Sequence, residues 1–374
     1  MRVEFLRKTR LADNKRCAQL ILYTTGHNVE EIKELKANGR KIVSFSADNN
    51  SWFFITALRE AGIGPDIITD NGIKTLNLYL ENMPIVQPTE LLMKNNEYYF
   101  IITNSNEKST NEIRKQLLLW GVRDFAILTL DFIFDFDRAK NEGFKNAFIR
   151  AYNAIYEETD FSEDNFNAAR YNFINPVKWW YNAVEWVIDH YSGKENLSLL
   201  DVGPGVGLAS LILKDLLSVK LNWINLEQPK KHHQLSQRKS LIENESINVQ
   251  YGYIEADDFP GTYDIILFTD VIEHLAYNPV NTMKKLFNML NPHGHIVVTT
   301  PHTYAGLRYY AQWRDMPMIN KEEIQSNVNI LKITGADHVY EYTPEELQDI
   351  LDISGFEVVF KKIDSKITYI CTRP

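Results

Sequence analysis

The sequence predicts a two-domain α/β protein in which each domain is a largely parallel sheet with helices on its faces. A chain of 374 residues is long for one hydrophobic core, because cores rarely grow beyond about 250–300 residues. Strand and helix patterns alternate twice along the chain, and a mostly helical stretch separates the two runs. We therefore expect domains at 1–150 and 151–374, with the boundary near residue 150.

The composition is that of a globular protein without a nucleic-acid surface. Hydrophobic residues make up 44% and charged residues 24% of the chain, which is ordinary for a folded domain. The net charge is −9, and no Lys/Arg cluster offsets it. Nucleic-acid binding needs basic residues that neutralise phosphates, so this class of partner is disfavoured.

Cysteine usage and hydropathy favour a cytoplasmic protein. The two cysteines, Cys17 and Cys371, lie near opposite ends of the sequence and form neither a disulfide framework nor a zinc pattern. Charged residues run through Met1–Cys17, which therefore lacks the apolar region of a signal peptide. No apolar stretch approaches the roughly 20 residues of a membrane span.

The first domain is predicted to be the smaller α/β, Rossmann-like one. A strand from Gln19, a helix over Val29–Gly39 and a strand from Lys41 follow one another, and a second strand–helix–strand run ends at FAILTL. Such repetition with short turns is typical of a parallel sheet. The first turn keeps only Gly26 where a phosphate-binding loop needs several glycines, so we expect no nucleotide site there.

A helical segment at 151–196 is predicted to lead into the second domain. Apolar residues recur there at steps of three and four, which gives one apolar stripe: Trp180, Val184, Val187, Ile188 and Tyr191. Asn175–Pro176 suits the start of this helix, because proline is favoured in the first turn. Five strand patterns, the helix PEELQDILDISG and two final strands then follow.

The most distinctive motif is LLDVGPGVGLASL at Leu199–Leu211. A strand ends at Asp201, and Gly203, Gly205 and Gly207 precede a helix. Glycines at such a turn let the backbone approach a ligand closely. The spacing is G-x-G-x-G, whereas dinucleotide-binding proteins have G-x-G-x-x-G.

This D-x-G-x-G-x-G form resembles motif I of class I, S-adenosylmethionine-dependent methyltransferases. The resemblance implies a seven-stranded Rossmann-like sheet, with Asp201 near the amino-acid part of the cofactor and the glycines along its methionine and ribose. Glu227, at the end of the next strand, is then expected to bind the ribose hydroxyls.

Three further segments extend the resemblance over Leu197–Arg373. In EADDFPGTYDIILFTDVIEHL, the match implies that Glu255 and Ala256 contact the adenine, with Asp257 as the competing acidic residue. LNPHGHIVVTTPH and HVYEYTPEELQDILDISGFEVV follow in the order expected of the family.

Asp270, Glu273 and His274 stand at positions i, i+3 and i+4, which share one face of a helix. Two carboxylates and an imidazole can hold a divalent ion, and His338 could supply a fourth ligand. The pattern resembles the metal site of small-RNA 3′-end and quinone-pathway O-methyltransferases, which carry Glu where this chain has Asp270. The alternative is that Asp270 lies beside the cofactor and that Glu273 and His274 are a helix N-terminal pair. Mg²⁺, Mn²⁺, Fe²⁺ and Zn²⁺ all remain open.

Histidines are the candidate general bases for removing an acceptor proton. His302 follows a strand end, and His338 and Asp270 are the other catalytic candidates. The 303–337 segment is long for a connection and is expected to form a lid over the strand ends. Ordinary packing would also explain the aromatic side chains of that segment.

Taken together, these features predict methyl transfer to an oxygen of a small molecule or glycan. The first domain loosely resembles the Rossmann-like module found beside enzymes of bacterial surface-sugar assembly, which points to a sugar or a nucleotide- or lipid-linked sugar as acceptor. The alternative is that the first domain serves for dimerisation, in which case the protein is a homodimer. The alternatives for the whole chain are an RNA 2′-O-methyltransferase and a non-catalytic cofactor-binding or assembly protein.

Overall fold

The computed structural model describes most of the chain. The described residues are 1–10, 17–47, 51–72, 79–80, 83–92, 94–104, 106–133, 143–157, 161–162, 164, 166–167, 169–170, 176–226, 239–302, 308–319, 338–364 and 366–374. Within these ranges, no helix has the length and apolar character needed to cross a membrane.

The chain forms two compact units that exchange segments around the expected boundary at residue 150. The first unit comprises Met1–Ala139 and Tyr152–Lys178, and the second comprises Lys140–Ala151 and Trp179–Pro374. The chain thus passes between the units three times, where the sequence predicted one passage, and the helical segment at 151–196 is divided between them.

Aromatic packing accounts for this exchange. Phe144 lies edge-on against Tyr181 at a ring-centroid distance of 4.9 Å, which ties the start of its helix to the second unit. Phe161 stacks on Phe125 at 4.7 Å, within the first unit. Because these partners lie far apart in sequence, a local pattern cannot assign the segments.

The first unit contains an eight-stranded sheet in the order β1-β2-β8-β7-β3-β4-β6-β5. The strands are β1 Arg2–Arg10, β2 Cys17–Thr24, β3 Lys41–Phe45, β4 Ile67–Thr69, β5 Tyr79–Leu80, β6 Met83–Val86, β7 Tyr98–Ile102 and β8 Phe125–Ile133. The block from β8 to β6 is parallel, as predicted. β1 and β2 join it in antiparallel pairing, and the sequence analysis missed β1.

Among the described residues, the helices that accompany this sheet are α1 Val29–Ala37, α2 Ser51–Glu60, α3 Pro88–Leu92 and α4 Glu107–Leu119. A capping box starts α1, because the Asn28 side chain accepts from the Glu31 amide while the Glu31 carboxylate accepts from the Asn28 amide. This box and the buried Ile32 explain why the predicted helix forms at that place.

The second unit contains the seven-stranded sheet that the sequence predicted, in the order β11-β10-β9-β12-β13-β15-β14. Its strands are β9 Ser198–Val202, β10 Lys220–Leu226, β11 Asn248–Gly252, β12 Tyr263–Thr269, β13 Leu290–Pro301, β14 Glu357–Ile363 and β15 Lys366–Thr372. The first five are parallel, and β15 lies antiparallel between β13 and β14.

Further helices in the described part of the chain are α5 Phe144–Tyr156, α6 Pro176–Tyr191, α7 Leu208–Leu217, α8 Lys239–Asn244, α9 Pro279–Met289 and α10 Pro344–Ile353. All five residues of the predicted apolar stripe on α6 are buried, which confirms the stripe. Single 3₁₀ turns occur at Ile272–His274 and Trp313–Asp315.

Candidate active site

The chain order reverses between β9 and β12. From β9 the chain continues to β10 and β11 on one side, then crosses to β12 and β13 on the other. In open α/β sheets, ligands bind outside the carboxyl ends of the strands at such a switch point. The glycine loop after β9 and Asp270 after β12 both lie at this point.

Left-handed backbone at the three glycines shapes the turn after β9. Gly203, Gly205 and Gly207 have φ of 67°, 54° and 79°, a region that side chains make unfavourable by about 1–2 kcal/mol. Gly207 is also the N-cap of α7 and has no side chain to cap the amides of the first turn. Such helix amides and their dipole favour an anionic group of a ligand.

Asp201, the last but one residue of β9, has a buried carboxyl group. Its Oδ1 has no hydrogen-bond partner within the described part of the chain. Burial raises the pKa of Asp201 to about 7, although a hydrogen bond from Ser210 opposes the shift. A buried acceptor without a partner is costly, and an ammonium group of a ligand would satisfy it.

Ser210 and Trp223 support this carboxyl group from behind the glycine loop. The Trp223 indole Nε1 donates to Ser210 Oγ at 3.0 Å, and that hydroxyl donates to the Gly207 carbonyl at 3.2 Å. Both supporting side chains are buried. They connect β10, α7 and the loop into one rigid unit.

The Glu255 carboxylate faces the protein interior. It accepts from the Tyr277 amide at 2.8 Å and from the Ala276 amide at 3.3 Å. Burial raises the pKa of Glu255 to about 7, and these two hydrogen bonds oppose the shift. Glu255 therefore holds the loop before α9, a role that the sequence analysis did not foresee.

Ala256 and Asp257, which follow Glu255, form hydrogen bonds within the same turn. The Ala256 amide donates to the Tyr253 carbonyl at 3.0 Å, and Asp257 Oδ2 accepts from the Tyr253 amide at 2.7 Å. Ala256 is buried, whereas Asp257 is exposed. The adenine contacts expected of Glu255 and Ala256 stay predictions.

The predicted α-helix over Asp270–His274 is wrong. Asp270 has a left-handed backbone with φ of 55°, and only the single 3₁₀ turn Ile272–His274 follows it. Asp270 Oδ1 accepts from Thr299 Oγ1 at 3.1 Å and from Lys366 Nζ at 2.7 Å. The Asp270 side chain therefore contacts side chains of β13 and β15.

Glu273, His274 and His338 do converge, as the sequence predicted. Each offers a ligand atom, and the three atoms lie within 4.8 Å of one another. The imidazoles of His274 and His338 meet edge to face at a centroid distance of 4.9 Å. A carboxylate and two imidazoles are a donor set that suits a borderline divalent cation.

Hydrogen bonds fix this three-residue cluster. Glu273 is 1% exposed, and its Oε2 accepts from Thr300 Oγ1 at 3.1 Å. The Glu273 carbonyl accepts from the Val339 amide at 2.7 Å, which ties the segment of His338 to the turn. Burial and the nearby Asp270 raise the pKa of Glu273, while Lys366 and Thr300 oppose the rise.

His302 lies at the end of β13, where the sequence placed a candidate base. Its Nδ1 lies 2.9 Å from the Asp364 carbonyl. A carbonyl only accepts, so Nδ1 carries the proton in the neutral ring and Nε2 is the basic nitrogen.

Only part of the expected lid at 303–337 can be described. Residues 303–307 and 320–337, which include Tyr304, lie outside the described residues. Trp313 and Met316 are buried in the core of the second unit, so ordinary packing explains them. Tyr309 is 38% exposed, and the Arg314 guanidinium lies over the Trp313 ring.

Residues 184–360 match the model of a family described as a methyltransferase domain. The second unit therefore contains a methyltransferase domain. The match spans the glycine loop, the Asp270 strand end and the Glu273 cluster. No curated protein matches the chain.

Several solved structures are similar to part of this chain. They include a SAM-dependent methyltransferase from Aquifex aeolicus, with 16% identity, a TM-score of 0.35, and coverage of 51% of this chain and 89% of that one. An O-methyltransferase family protein from Burkholderia thailandensis has 11% identity, a TM-score of 0.36, and coverage of 56% and 59%. PigF with SAH has 16% identity, a TM-score of 0.38, and coverage of 62% and 68%.

Sequence reasoning missed Lys366, Ser210 and Trp223 in the methyltransferase unit. Lys366 is the first residue of β15. It follows two lysines and an aspartate in the sequence, a charged context that does not indicate a buried side chain. Ser210 could have been noticed as a polar residue on the apolar face of α7. The predicted ribose ligand Glu227 lies outside the described residues.

Proposed function

We propose that the second unit transfers the methyl group of S-adenosylmethionine to an oxygen of a small molecule or glycan. The observation that carries the proposal is the convergence of Glu273, His274 and His338 at the carboxyl edge of the sheet. A cation bound by these residues would favour an oxygen nucleophile, because it would stabilise a deprotonated hydroxyl.

The polar groups around the glycine loop match the donor. The methionine part of S-adenosylmethionine carries an ammonium and a carboxylate. The unpartnered Oδ1 of Asp201 suits the ammonium, and the amides at the start of α7 suit the carboxylate. Gly203 and Gly205 would let the backbone approach the cofactor closely.

The reaction itself is a direct displacement. A lone pair of the acceptor oxygen attacks the sulfonium methyl carbon, the carbon–sulfur bond breaks with its electron pair passing to sulfur, and the hydroxyl proton leaves to a base. Most of the rate enhancement comes from aligning the two reactants. His302 is the first candidate for the base, because its imidazole directly follows β13 at the carboxyl edge of the sheet. Asp270 and His338 are the other candidates, and Lys366 and Glu341 pair with them.

We further propose that Glu273, His274 and His338 hold one divalent cation. The residues present fit such an ion, because one buried carboxylate and two imidazoles face each other and Glu341 Oε1 lies 2.7 Å from His338 Nδ1. A carboxylate behind a ligand histidine orients the ring and makes it a better ligand. When bound there, the ion would supply Lewis acidity that lowers the pKa of an acceptor hydroxyl.

Sugars and sugar-linked carriers are the favoured acceptors within this proposal. The net charge of −9 disfavours an RNA chain. The support for a glycan is the loose resemblance of the first domain to modules beside bacterial surface-sugar enzymes.

The test is methyl transfer from isotopically labelled S-adenosylmethionine to fractions of a cell extract. We expect label in a small-molecule or glycan fraction, as a methyl ether that NMR identifies. The Asp201→Asn variant serves as the inactive control. Label that ribonuclease releases would instead identify an RNA 2′-O-methyltransferase. Cofactor binding without transfer to any fraction would contradict the enzymatic proposal.

A further inference from the structure

Lys366 places a buried ammonium group at the carboxyl edge of the sheet, next to the proposed cation site. Its side chain is 9% exposed, and Nζ lies 2.7 Å from Asp270 Oδ1. A buried lysine needs a charged partner. Lys366 and Asp270 are separated by 96 positions in sequence, and β15 brings them together beside β13.

Asp270 is held in this pairing from several sides. Its amide donates to the Thr299 carbonyl at 2.9 Å, and the Thr299 hydroxyl donates to the same Oδ1 that Lys366 contacts. The left-handed backbone of Asp270 fixes the direction in which its side chain leaves the strand end. Turning Oδ1 of the carboxylate toward a cation would break its contacts with both Lys366 and Thr299, which is unfavourable.

The other three predicted ligands are arranged differently. Glu273, His274 and His338 bring their ligand atoms within 4.8 Å of one another, and that group does not include Asp270. Thr300 binds one oxygen of Glu273, and Glu341 binds Nδ1 of His338, which leaves Nε2 as the nitrogen for an ion.

We propose that Glu273, His274 and His338 are the complete protein ligand set of the cation, and that Lys366 keeps Asp270 out of it. This inference rests on the proposed cation site. Two imidazoles and one carboxylate favour Mn²⁺, Fe²⁺ or Zn²⁺ over the harder Mg²⁺. Three protein ligands leave coordination positions for oxygens of the acceptor, as in other catalytic metal sites.

The experiment titrates Mn²⁺ into the metal-free full-length protein and follows free Mn²⁺ by electron paramagnetic resonance. Glu273→Gln and His338→Gln should each weaken Mn²⁺ binding by about tenfold or more, because each removes a ligand. Asp270→Asn should change the affinity by less than about threefold. Mg²⁺ at equal concentration should not displace Mn²⁺.

Lys366→Met should change the Mn²⁺ affinity in the opposite direction. It removes the ammonium and releases the Asp270 carboxylate, so Mn²⁺ should bind more tightly. In the double variant with Asp270→Asn, this increase in affinity should disappear. Each variant is first checked by circular dichroism and thermal unfolding, which show whether the fold is intact.

A loss of Mn²⁺ affinity in Asp270→Asn as large as that in Glu273→Gln would overturn the three-ligand assignment while leaving the cation site in place. Wild-type protein that binds no Mn²⁺ would overturn both the assignment and the cation site. In that case, labelled methyl transfer in excess EDTA would show separately whether the transfer reaction survives.

Discussion

Trp223 on β10 packs directly against Gly207 at the end of the glycine loop. A Cβ built on Gly207 would lie 2.7 Å from Cη2 of Trp223, whereas a Cβ on Gly205 would meet no described atom within 4 Å. Two glycines of one motif therefore serve different purposes. Gly207 permits packing inside the protein, and Gly205 leaves open space on the ligand side.

The first prediction separates these two purposes by substitution. Gly205→Val should remain folded at a backbone cost of about 1–2 kcal/mol, and its affinity for S-adenosylmethionine should fall at least about tenfold because the side chain fills the ligand space. Gly207→Ala should destabilise the protein by about 2–4 kcal/mol, since overpacking adds to the backbone cost. Calorimetry and thermal unfolding measure the two effects. A folded Gly205→Val protein that binds the cofactor normally would contradict the assignment of the loop.

The second prediction concerns the pH dependence of cofactor binding. Burial raises the pKa of Asp201 to about 7, and only the ionised carboxylate attracts the ammonium of S-adenosylmethionine. The affinity should therefore drop by about tenfold between pH 8 and pH 6. Isothermal titration at several pH values measures the drop.

Asp201→Asn should bind the cofactor weakly at every pH and show no such slope. Without cofactor, this variant should also be the more stable protein near pH 8. Because the pKa of Asp201 is higher in the folded than in the unfolded protein, the free energy of unfolding is highest below about pH 4. It then falls as the pH rises through 7. Asp215→Asn on the outer part of α7 is the matched control, because Asp215 pairs with Arg150 away from the loop. A slope that persists in Asp201→Asn would assign the titration to another group.

The third prediction concerns His295, which is buried at the opposite end of the sheet. Burial, with help from the neighbouring His190 and Lys194, lowers its pKa to about 4. A histidine with a lowered pKa contributes stability above about pH 6.5 that is lost as the pH falls toward 4. The free energy of unfolding of the wild-type protein should fall as the pH drops from 6.5 to 4. In His295→Asn this fall should be smaller by about 1–3 kcal/mol. Urea unfolding of both proteins between pH 4 and 7.5 provides the measurement, with His302→Asn as the control. Identical pH profiles of His295→Asn and wild type would refute the burial of a neutral imidazole.

The fourth prediction is the effect of metal removal. Excess EDTA should lower methyl transfer by more than about tenfold and leave S-adenosylhomocysteine binding nearly unchanged, because Asp201 and Glu273 lie at separate strand ends. Glu273→Ala and His338→Ala should resemble each other and the EDTA-treated protein. Full activity in EDTA, with no metal in the purified protein, would leave His302 as the acid–base group without a cation.

Local sequence patterns were sufficient for much of the second unit. The apolar stripe on α6, the glycine loop after β9 and the order of the strands each depend on residues close together in sequence. Helical and strand periodicity encode such features directly. The same is true of Gly203, Gly205 and Gly207, since only glycine adopts left-handed backbone without penalty.

The sequence alone determined that this chain has two parallel-sheet units, that a glycine-rich motif follows β9, and that Glu273, His274 and His338 are candidates for one site. Tertiary structure decided what each candidate contacts. Asp270 pairs with Lys366 across 96 positions, and Glu255 turns inward to the loop at Tyr277. Periodicity reports only which face of its own element a residue occupies. The partner of a buried charge depends on which distant strand packs beside it. Because the interior has a low dielectric constant, a buried charge is stable only when such a partner is present.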